Sequence, residues 1–435
     1  MDEQSGKPRA AVLTLGCKVN QFDSAALAES LRAAGYEVAA GARDADLGVL
    51  NTCTVTNKAD QEALSLVRRV RRLAPAARLV ATGCLAQADP GLLTATGQVD
   101  LVVKEKSRLV SLLERPGQGS AAAEPPAHFG TPLLGRTRAF YKIQDGCSSD
   151  CAYCAVPRAR GPSRSVELDQ VLDGLRSYLG RGLAEVVFCG IHLGRWGWDL
   201  SPPLNLAELL HTLEGELELG AEAFRLRLSS LEPLDVDDEL LTAFEMYDWL
   251  APHFHLPLQS GSDRVLEQMG RPYRAADFKR LVERLNKAWP LAAVGTDVMA
   301  GFPGETEADF KATLDLLAGL PISYSHIFPY SPRPGTRAAE RTDQVPEHIK
   351  RRRVVELKKA DQLMRREFAR RNLGAVQVGL VENRPHSASG RLKVLTGNYL
   401  TALLPPGLKV SPGLLMPITL APSENPWGLM EAAPA

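Results

Sequence analysis

Between residues 10 and 115, short apolar runs alternate with longer stretches whose apolar positions recur every three to four residues. Residues 11–15, 47–50 and 79–81 read as buried parallel strands, with 101–103 as a fourth. Residues 25–34 and 59–73 carry the helical period between them. This rhythm predicts a doubly wound parallel sheet. From residue 138 the rhythm resumes, with strand candidates at 138–143, 185–189, 224–228, 253–256, 293–298 and 324–328. Six strand–helix units point to a partial (β/α)6 barrel, with an open sheet as the alternative. Residues 348–371 form a long helix whose buried face should be Val354, Leu357, Met364 and Phe368. Beyond residue 372, short strand-like runs separated by Gly and Pro predict a small all-β unit.

The expected units are 8–116, a Gly/Pro/Ala-rich linker at 117–136, a barrel with its basic helix at 137–371, and a β-unit at 372–435. Length alone calls for more than one domain. Lys+Arg and Asp+Glu both number 51, so net charge is zero, which does not exclude a local nucleic-acid patch. The N-terminal apolar stretch is too short and too late for a signal peptide, and no run reaches the roughly 18 apolar residues of a membrane span. A cytoplasmic protein is expected. There, seven cysteines point to metal or redox chemistry more than to disulfides.

Residues 140–164 read FYKIQDGCSSDCAYCAVPRARGPSR, placing Cys147, Cys151 and Cys154 in a C-x3-C-x2-C spacing just after the first barrel strand. Three local thiolates suit a four-iron cluster with one iron left open for a ligand. Zinc is the weaker reading, because no second pair of ligands follows closely. Cys17, Cys53 and Cys84 are scattered, yet their contexts VLTLGC, GVLNTC and LVATGC are alike. Each ends an expected strand and precedes a helix. Parallel strand ends share one sheet edge, so the three could meet at one site. Gly16 and Gly83 would allow tight turns there. The alternative is three small packed thiols, which is the reading given to Cys189 at the end of a barrel strand.

The C-x3-C-x-aromatic-C spacing, with Tyr153 as the aromatic, resembles the signature of the radical S-adenosylmethionine superfamily. Together with the scattered triplet it resembles the methylthiotransferases over essentially the whole chain. GCKVNQFDS (16–24), NTCTVTNKAD (51–60) and CGIHLG (189–194) look most like those acting on N6-threonylcarbamoyladenosine of tRNA, the MtaB type. The resemblance implies two 4Fe-4S clusters, a radical cluster on Cys147, Cys151 and Cys154 and an auxiliary one on Cys17, Cys53 and Cys84. It also implies S-adenosylmethionine as cofactor, a C-terminal TRAM β-domain, and methylthio transfer to adenine C2 at position 37 of the tRNA anticodon stem-loop. A reductase system would supply electrons, and no membrane is involved. Relatives that modify isopentenyl-adenosine in tRNA or a ribosomal-protein aspartate are the alternatives, and a zinc-stabilised RNA-binding protein is the non-enzyme one.

Ser230, Glu232 and Asp297, at barrel strand ends, are candidate contacts for S-adenosylmethionine. His192 and His255 receive no role. The expected RNA surface combines the β-unit with Arg68, Arg69, Arg71, Arg72, Arg158, Arg160, Arg164 and Arg351 to Arg353. Ser148, Ser149 and Asp150 are more polar than the family's usual pattern, and Ala155 and Arg158 replace bulkier apolar and aromatic residues.

Overall fold

The computed structural model describes residues 7–113, 137–422 and 430–435; the whole expected linker, 117–136, lies outside them. Five strands, β1 (Arg9–Thr14), β2 (Glu37–Ala39), β3 (Leu47–Thr52), β4 (Arg78–Gly83) and β5 (Leu101–Val102), form one sheet in the order β2-β1-β3-β4-β5. Every neighbouring pair is parallel. Helices α1 (Lys18–Ala33), α2 (Asn57–Leu73), α3 (Cys84–Ala88) and α4 (Pro90–Thr94) connect them. Alternate residues of β3 serve opposite faces, as strand geometry requires. Leu47 and Val49 pack with Leu27 and Leu31 of α1, while Leu50 packs with Ala63 and Val67 of α2. The sheet is therefore doubly wound. β2, a short edge strand, was not expected from the sequence.

The second unit comprises β6 (Ala139–Lys142), β7 (Gln144–Asp145), α5 (Val156–Arg160), β8 (Arg164–Ser165), α6 (Leu168–Gly180), β9 (Glu185–Cys189), α7 (Leu206–Leu217), β10 (Arg225–Leu228), α8 (Asp238–Met246), β11 (His253–His255), α9 (Asp263–Met269), α10 (Ala275–Ala288), β12 (Ala293–Ala300), α11 (Glu307–Ala318) and β13 (Tyr324–Pro329). Sheets β10-β9-β6 and β11-β12-β13 are joined by the bridges Leu226–Leu250 and Ser230–His255. Six parallel strands thus form an arc from β6 to β13, and no ladder closes it among the described residues. This is the partial (β/α)6 barrel. β7 and β8 pair antiparallel beyond the end of β6 and clamp the segment between them.

α12 (Arg337–Glu340) leads to α13 (Glu347–Arg371), the long basic helix. Leu357, Met364 and Phe368 are buried as expected, whereas Val354 is only half-buried. Lys350 and Arg353 are buried as well. Arg353 meets the buried Glu305 at 2.6 Å, and Lys350 donates to the Tyr330 carbonyl at 3.2 Å. Part of the basic character of α13 therefore serves internal pairing, which corrects the expectation that Arg351 to Arg353 all face RNA.

β14 (Val376–Val381), β15 (Lys393–Thr396), β16 (Thr401–Leu403), β17 (Leu415–Ala421) and β18 (Met430–Pro434) close into a small barrel, β14-β15-β16-β18-β17, as a TRAM domain would. Val381, Val394, Ala402, Ile418 and Leu420 fill it. It docks against the N-terminal ends of β9 and β10. Arg225 donates to the carbonyls of Val378 and Leu395, and Arg227 to those of Thr396 and Gly397. Both guanidiniums pair with Glu185, which is fully buried. Burial pushes the Glu185 carboxyl up, but Arg225, Arg227 and Arg138 outweigh it and hold it at about 2.

Candidate metal centres

The two cysteine sets are built differently. In the first unit, β1, β3 and β4 are neighbours, and Cys17, Cys53 and Cys84 follow their C-terminal ends within a few residues. Gly16 and Gly83 take φ values of +95° and +94°, which favour glycine. A Cβ on Gly16 would stand 2.8 Å from Cys53 Sγ, so the first two loops are in direct contact. A Cβ on Gly83 would meet the Thr52 carbonyl at 2.5 Å. Asn20 locks this edge by donating to the carbonyls of Leu15 and Thr52 at 2.8 and 2.9 Å. Cys53 is buried, Cys84 half-buried and Cys17 exposed. Burial pushes the Cys53 thiol up to about 12, and the other two sulfurs add to the effect.

In the barrel, Cys147, Cys151 and Cys154 lie in the loop that the β7–β8 ribbon clamps. Cys147 N donates to the Gly161 carbonyl at 3.1 Å, closing the loop on itself. Each sulfur receives an N–H donor: Ser149 N to Cys147 and Val156 N to Cys154, both at 3.4 Å, and Arg271 Nη1 to Cys151 at 3.3 Å. Such donors stabilise thiolates and tune a cluster's potential. Burial pushes Cys154 up to about 12 and Cys151 upward. Cys147 is burdened by burial too, yet the His192 and Ser149 hydrogen bonds bring it below the usual thiol range. Cys189 is buried, as a packed thiol is expected to be.

His192 is a functional neighbour that the sequence reading missed. Its Nδ1 lies 3.7 Å from Cys147 Sγ, and its Nε2 lies 2.8 Å from Asp235 Oδ2. Burial opposes its charge, but Asp235 and Cys147 push it up to about 9. A His at a metal ligand with a carboxylate behind it is a recurrent supporting arrangement. Its signals in the sequence are its place after a barrel strand and within CGIHLG (189–194).

Neither triplet has its three sulfurs mutually within 4.8 Å; among the described residues only His255, Asp297 and His326 bring three potential ligand atoms that close. A single zinc ion, with bonds of about 2.3 Å, draws its thiolates to within roughly 4 Å of one another. The all-sulfur donor sets suit iron–sulfur clusters.

The helices next to the two sets pack together. α3, which begins at Cys84, packs on α5, which follows Cys154. Arg160 of α5 lies between them. It donates to Asn20 Oδ1, pairs with Asp145 at 2.8 Å and lies 3.4 Å from Asp23. Burial works against its charge, while Cys84, Asp23, Asp145 and Cys17 raise its pKa. Asp23, nearly buried on α1, also holds Lys142 at 2.7 Å and Lys106. A second clasp joins the units: Arg333 reaches Asp60 at 2.6 Å, Thr54 at 2.7 Å and Asn57 at 2.6 Å.

Of the expected S-adenosylmethionine contacts, Glu232 pairs with Arg271, the residue that touches Cys151. Ser230 Oγ lies 2.9 Å from His255 Nδ1. Asp297 Oδ1 lies 3.4 Å from His255 Nε2 and 3.3 Å from His326 Nδ1. Burial pushes the Asp297 carboxyl up, but the two imidazoles hold it well below the usual range. Ser230 and Asp297 thus share one cluster through His255. Among the expected RNA-facing cations, Arg160 is engaged in the clasp, and Arg71 is spent on the Gln98 and Ala77 carbonyls and Asp100. Arg158 donates to the Pro334 carbonyl, while Arg164 is exposed.

Residues 9–104 match a family described as "Uncharacterized protein family UPF0004", and residues 141–317 match the Radical SAM superfamily. The threonylcarbamoyladenosine tRNA methylthiotransferase MtaB of Aquifex aeolicus is 40% identical over 90% of this chain and 95% of its own length. Its namesake in Bacillus subtilis is 37% identical, over 82% of this chain and 81% of its own. The tRNA-2-methylthio-N(6)-dimethylallyladenosine synthase of Syntrophobacter fumaroxidans is 35% identical, over 88% and 86%. The solved structure of the radical S-adenosylmethionine methyltransferase TsrM from Kitasatospora setae shares the fold, at a TM-score of 0.54 and 18% identity over 76% of this chain and 77% of that one. This similarity over most of the chain leads to one conclusion: the chain belongs to the radical S-adenosylmethionine methylthiotransferases, the family of the MtaB enzymes.

Proposed function

We propose that this enzyme transfers a methylthio group to C2 of N6-threonylcarbamoyladenosine at position 37 of tRNA. The observation that carries the reading is the packing of α3, which begins at Cys84, on α5, which follows Cys154, in a chain 40% identical to a relative named for that reaction. Cys147, Cys151 and Cys154 would hold the cluster that engages S-adenosylmethionine, and Cys17, Cys53 and Cys84 the auxiliary one. When bound, these groups supply a carbon-centred radical at one site and transferable sulfur at the other.

The chain's own residues do the positioning. Asn20 and the two glycines hold the three strand-end loops together, and Arg160 keeps that edge against the barrel loop. Arg271, anchored by Glu232, presents an N–H to Cys151. Ser230, Glu232 and Asp297 are the proposed contacts for S-adenosylmethionine. The small C-terminal barrel would grip the anticodon arm. No helix among the described residues is long and apolar enough to cross a membrane, and a tRNA substrate assigns the enzyme to the cytoplasm with a reductase as electron donor.

Nucleoside mass spectrometry of tRNA from a deletion strain tests the substrate. Loss of 2-methylthio-N6-threonylcarbamoyladenosine, restored by the gene, supports it; an unchanged level rejects it, and loss of the isopentenyl-adenosine derivative or of ribosomal-protein methylthio-aspartate points to the relatives' substrates instead. Anaerobic reconstitution should give roughly eight irons per chain.

A further inference from the structure

We infer that Trp198, stacked on Arg195, is a platform for one unpaired nucleobase of the RNA substrate at the barrel mouth. The inference rests on the tRNA reading and adds a named recognition residue to it. Trp198 is 56% exposed, while Trp196 and Trp249 are buried and Trp289 is half-buried, so it is the one exposed tryptophan among the described residues. Exposing so large an apolar ring forgoes burial that would stabilise the fold. The Arg195 guanidinium lies 3.6 Å from the ring centroid.

The loop carrying this pair follows the C-terminal end of β9, the end of a (β/α) barrel where reactions occur. Arg195 Nε lies 3.0 Å from Asp235 Oδ1, and Asp235 also holds His192, the neighbour of Cys147. Three contacts therefore connect the platform to the cluster loop. The backbone around Trp198 is fixed. Trp196 is buried with its Nε1 donating to the Val166 carbonyl at 2.9 Å, and Gly197 N donates to Ser165 Oγ at 2.8 Å. Asp199 accepts from Ser165 N at 2.9 Å. Gly197 has φ +92°, and a Cβ there would meet the Leu204 carbonyl at 2.3 Å. The ring is thus held outward by anchored neighbours on both sides.

The surroundings select the ligand class. Arg195 stacks on the ring and the exposed Asp199 follows it in the chain, so it is not part of a continuous apolar groove for a protein helix. The Arg195 guanidinium, held by Asp235, braces one face of the ring, and a planar nucleobase suits the other. Single-stranded RNA is commonly read this way, by stacking of splayed bases on aromatic and arginine planes.

The test is anaerobic fluorescence-anisotropy titration of an unmodified anticodon stem-loop against reconstituted wild-type, Trp198→Ala and Trp198→Phe enzymes of matched iron content. One stacked base is worth roughly 10–100-fold in affinity. Trp198→Ala should weaken binding by at least about tenfold and raise KM with kcat retained, and Trp198→Phe should recover most of the loss. A set of stem-loops with one abasic loop position each should contain one RNA that binds the wild type weakly and Trp198→Ala no worse than the intact RNA does. Equal RNA affinity of wild type and Trp198→Ala overturns the platform while leaving the tRNA reading intact. A wild type that binds no anticodon stem-loop overturns both.

Discussion

The two cysteine sets proposed as cluster sites are built on opposite structural principles. The barrel set is local: one loop, clamped by β7 and β8, brings its three sulfurs together with their own N–H donors. The strand-end set is global: it exists only where β1, β3 and β4 are in register and Asn20 ties their ends. A local site can be carried by many scaffolds, which suits chemistry shared across a superfamily. A site distributed over a sheet is bound to one fold, and that is the half that specifies sulfur transfer.

The most severe way to test this contrast is to remove a ligand from each set. Cys151→Ala should abolish both methylthio transfer and reductive cleavage of S-adenosylmethionine, with loss of about four irons. Cys53→Ala should abolish transfer and lose a similar amount of iron, while 5′-deoxyadenosine formation continues. Iron content and product analysis check both; retention of transfer by either variant breaks the assignment.

Next in size is the clasp that joins the halves. Asp23→Ala leaves Lys106, Lys142 and Arg160 without their shared carboxylate, and breaking such a buried set costs about 3–5 kcal/mol. Denaturant unfolding should show that loss. At temperatures where the variant stays folded, 5′-deoxyadenosine should form with less transfer per radical, because the two sites are no longer held in line.

Glu185 offers a pH test far from both sites. Its carboxyl is depressed from 4.5 to about 2 in the folded chain, so its contribution is complete above pH 4.5 and is lost as pH falls towards 2. The shift corresponds to about 3 kcal/mol. Glu185→Gln should be less stable at neutral pH and show a flatter acid limb in cluster-free thermal unfolding, the C-terminal barrel loosening first. An unchanged acid limb would remove Glu185 as the docking anchor.

The smallest effect is expected at His192. His192→Gln keeps a polar side chain but removes the charged link between Asp235 and Cys147. Supporting residues of this kind are worth 10–100-fold in metal affinity or activity. Chelator challenge should strip the barrel cluster faster and leave the strand-end cluster unaffected; equal loss from both would contradict the local–global contrast.

Much of this was legible in the sequence because strands and their terminal residues follow periodicity. Six barrel strands and four of five sheet strands lie where apolar runs place them, and the recurring strand–Cys–helix context placed Cys17, Cys53 and Cys84 after neighbouring strand ends. β2 and β18 escaped because an edge strand and a terminal strand carry too short an apolar run. Pairings between distant charges escaped altogether. Nothing around Asp23 announces Arg160, and nothing in RLRL of β10 announces that Arg225 and Arg227 dock the C-terminal barrel. Arg71, Arg160 and Arg353 read as solvent-facing cations because composition reports charge but not its partner.

The Asp23 and Arg333 clasps also bear on how such enzymes diversify. Each joins side chains more than a hundred positions apart, across two units between which Phe22 of α1 also packs into the barrel core. Exchange of the N-terminal unit between relatives therefore transfers half of each lock without its key. A recombinant would inherit two intact cofactor scaffolds and still mismatch them at the seam. The unit of inheritance in this enzyme is the pair of domains together, and its substrate range can change within each half only as fast as the seam allows.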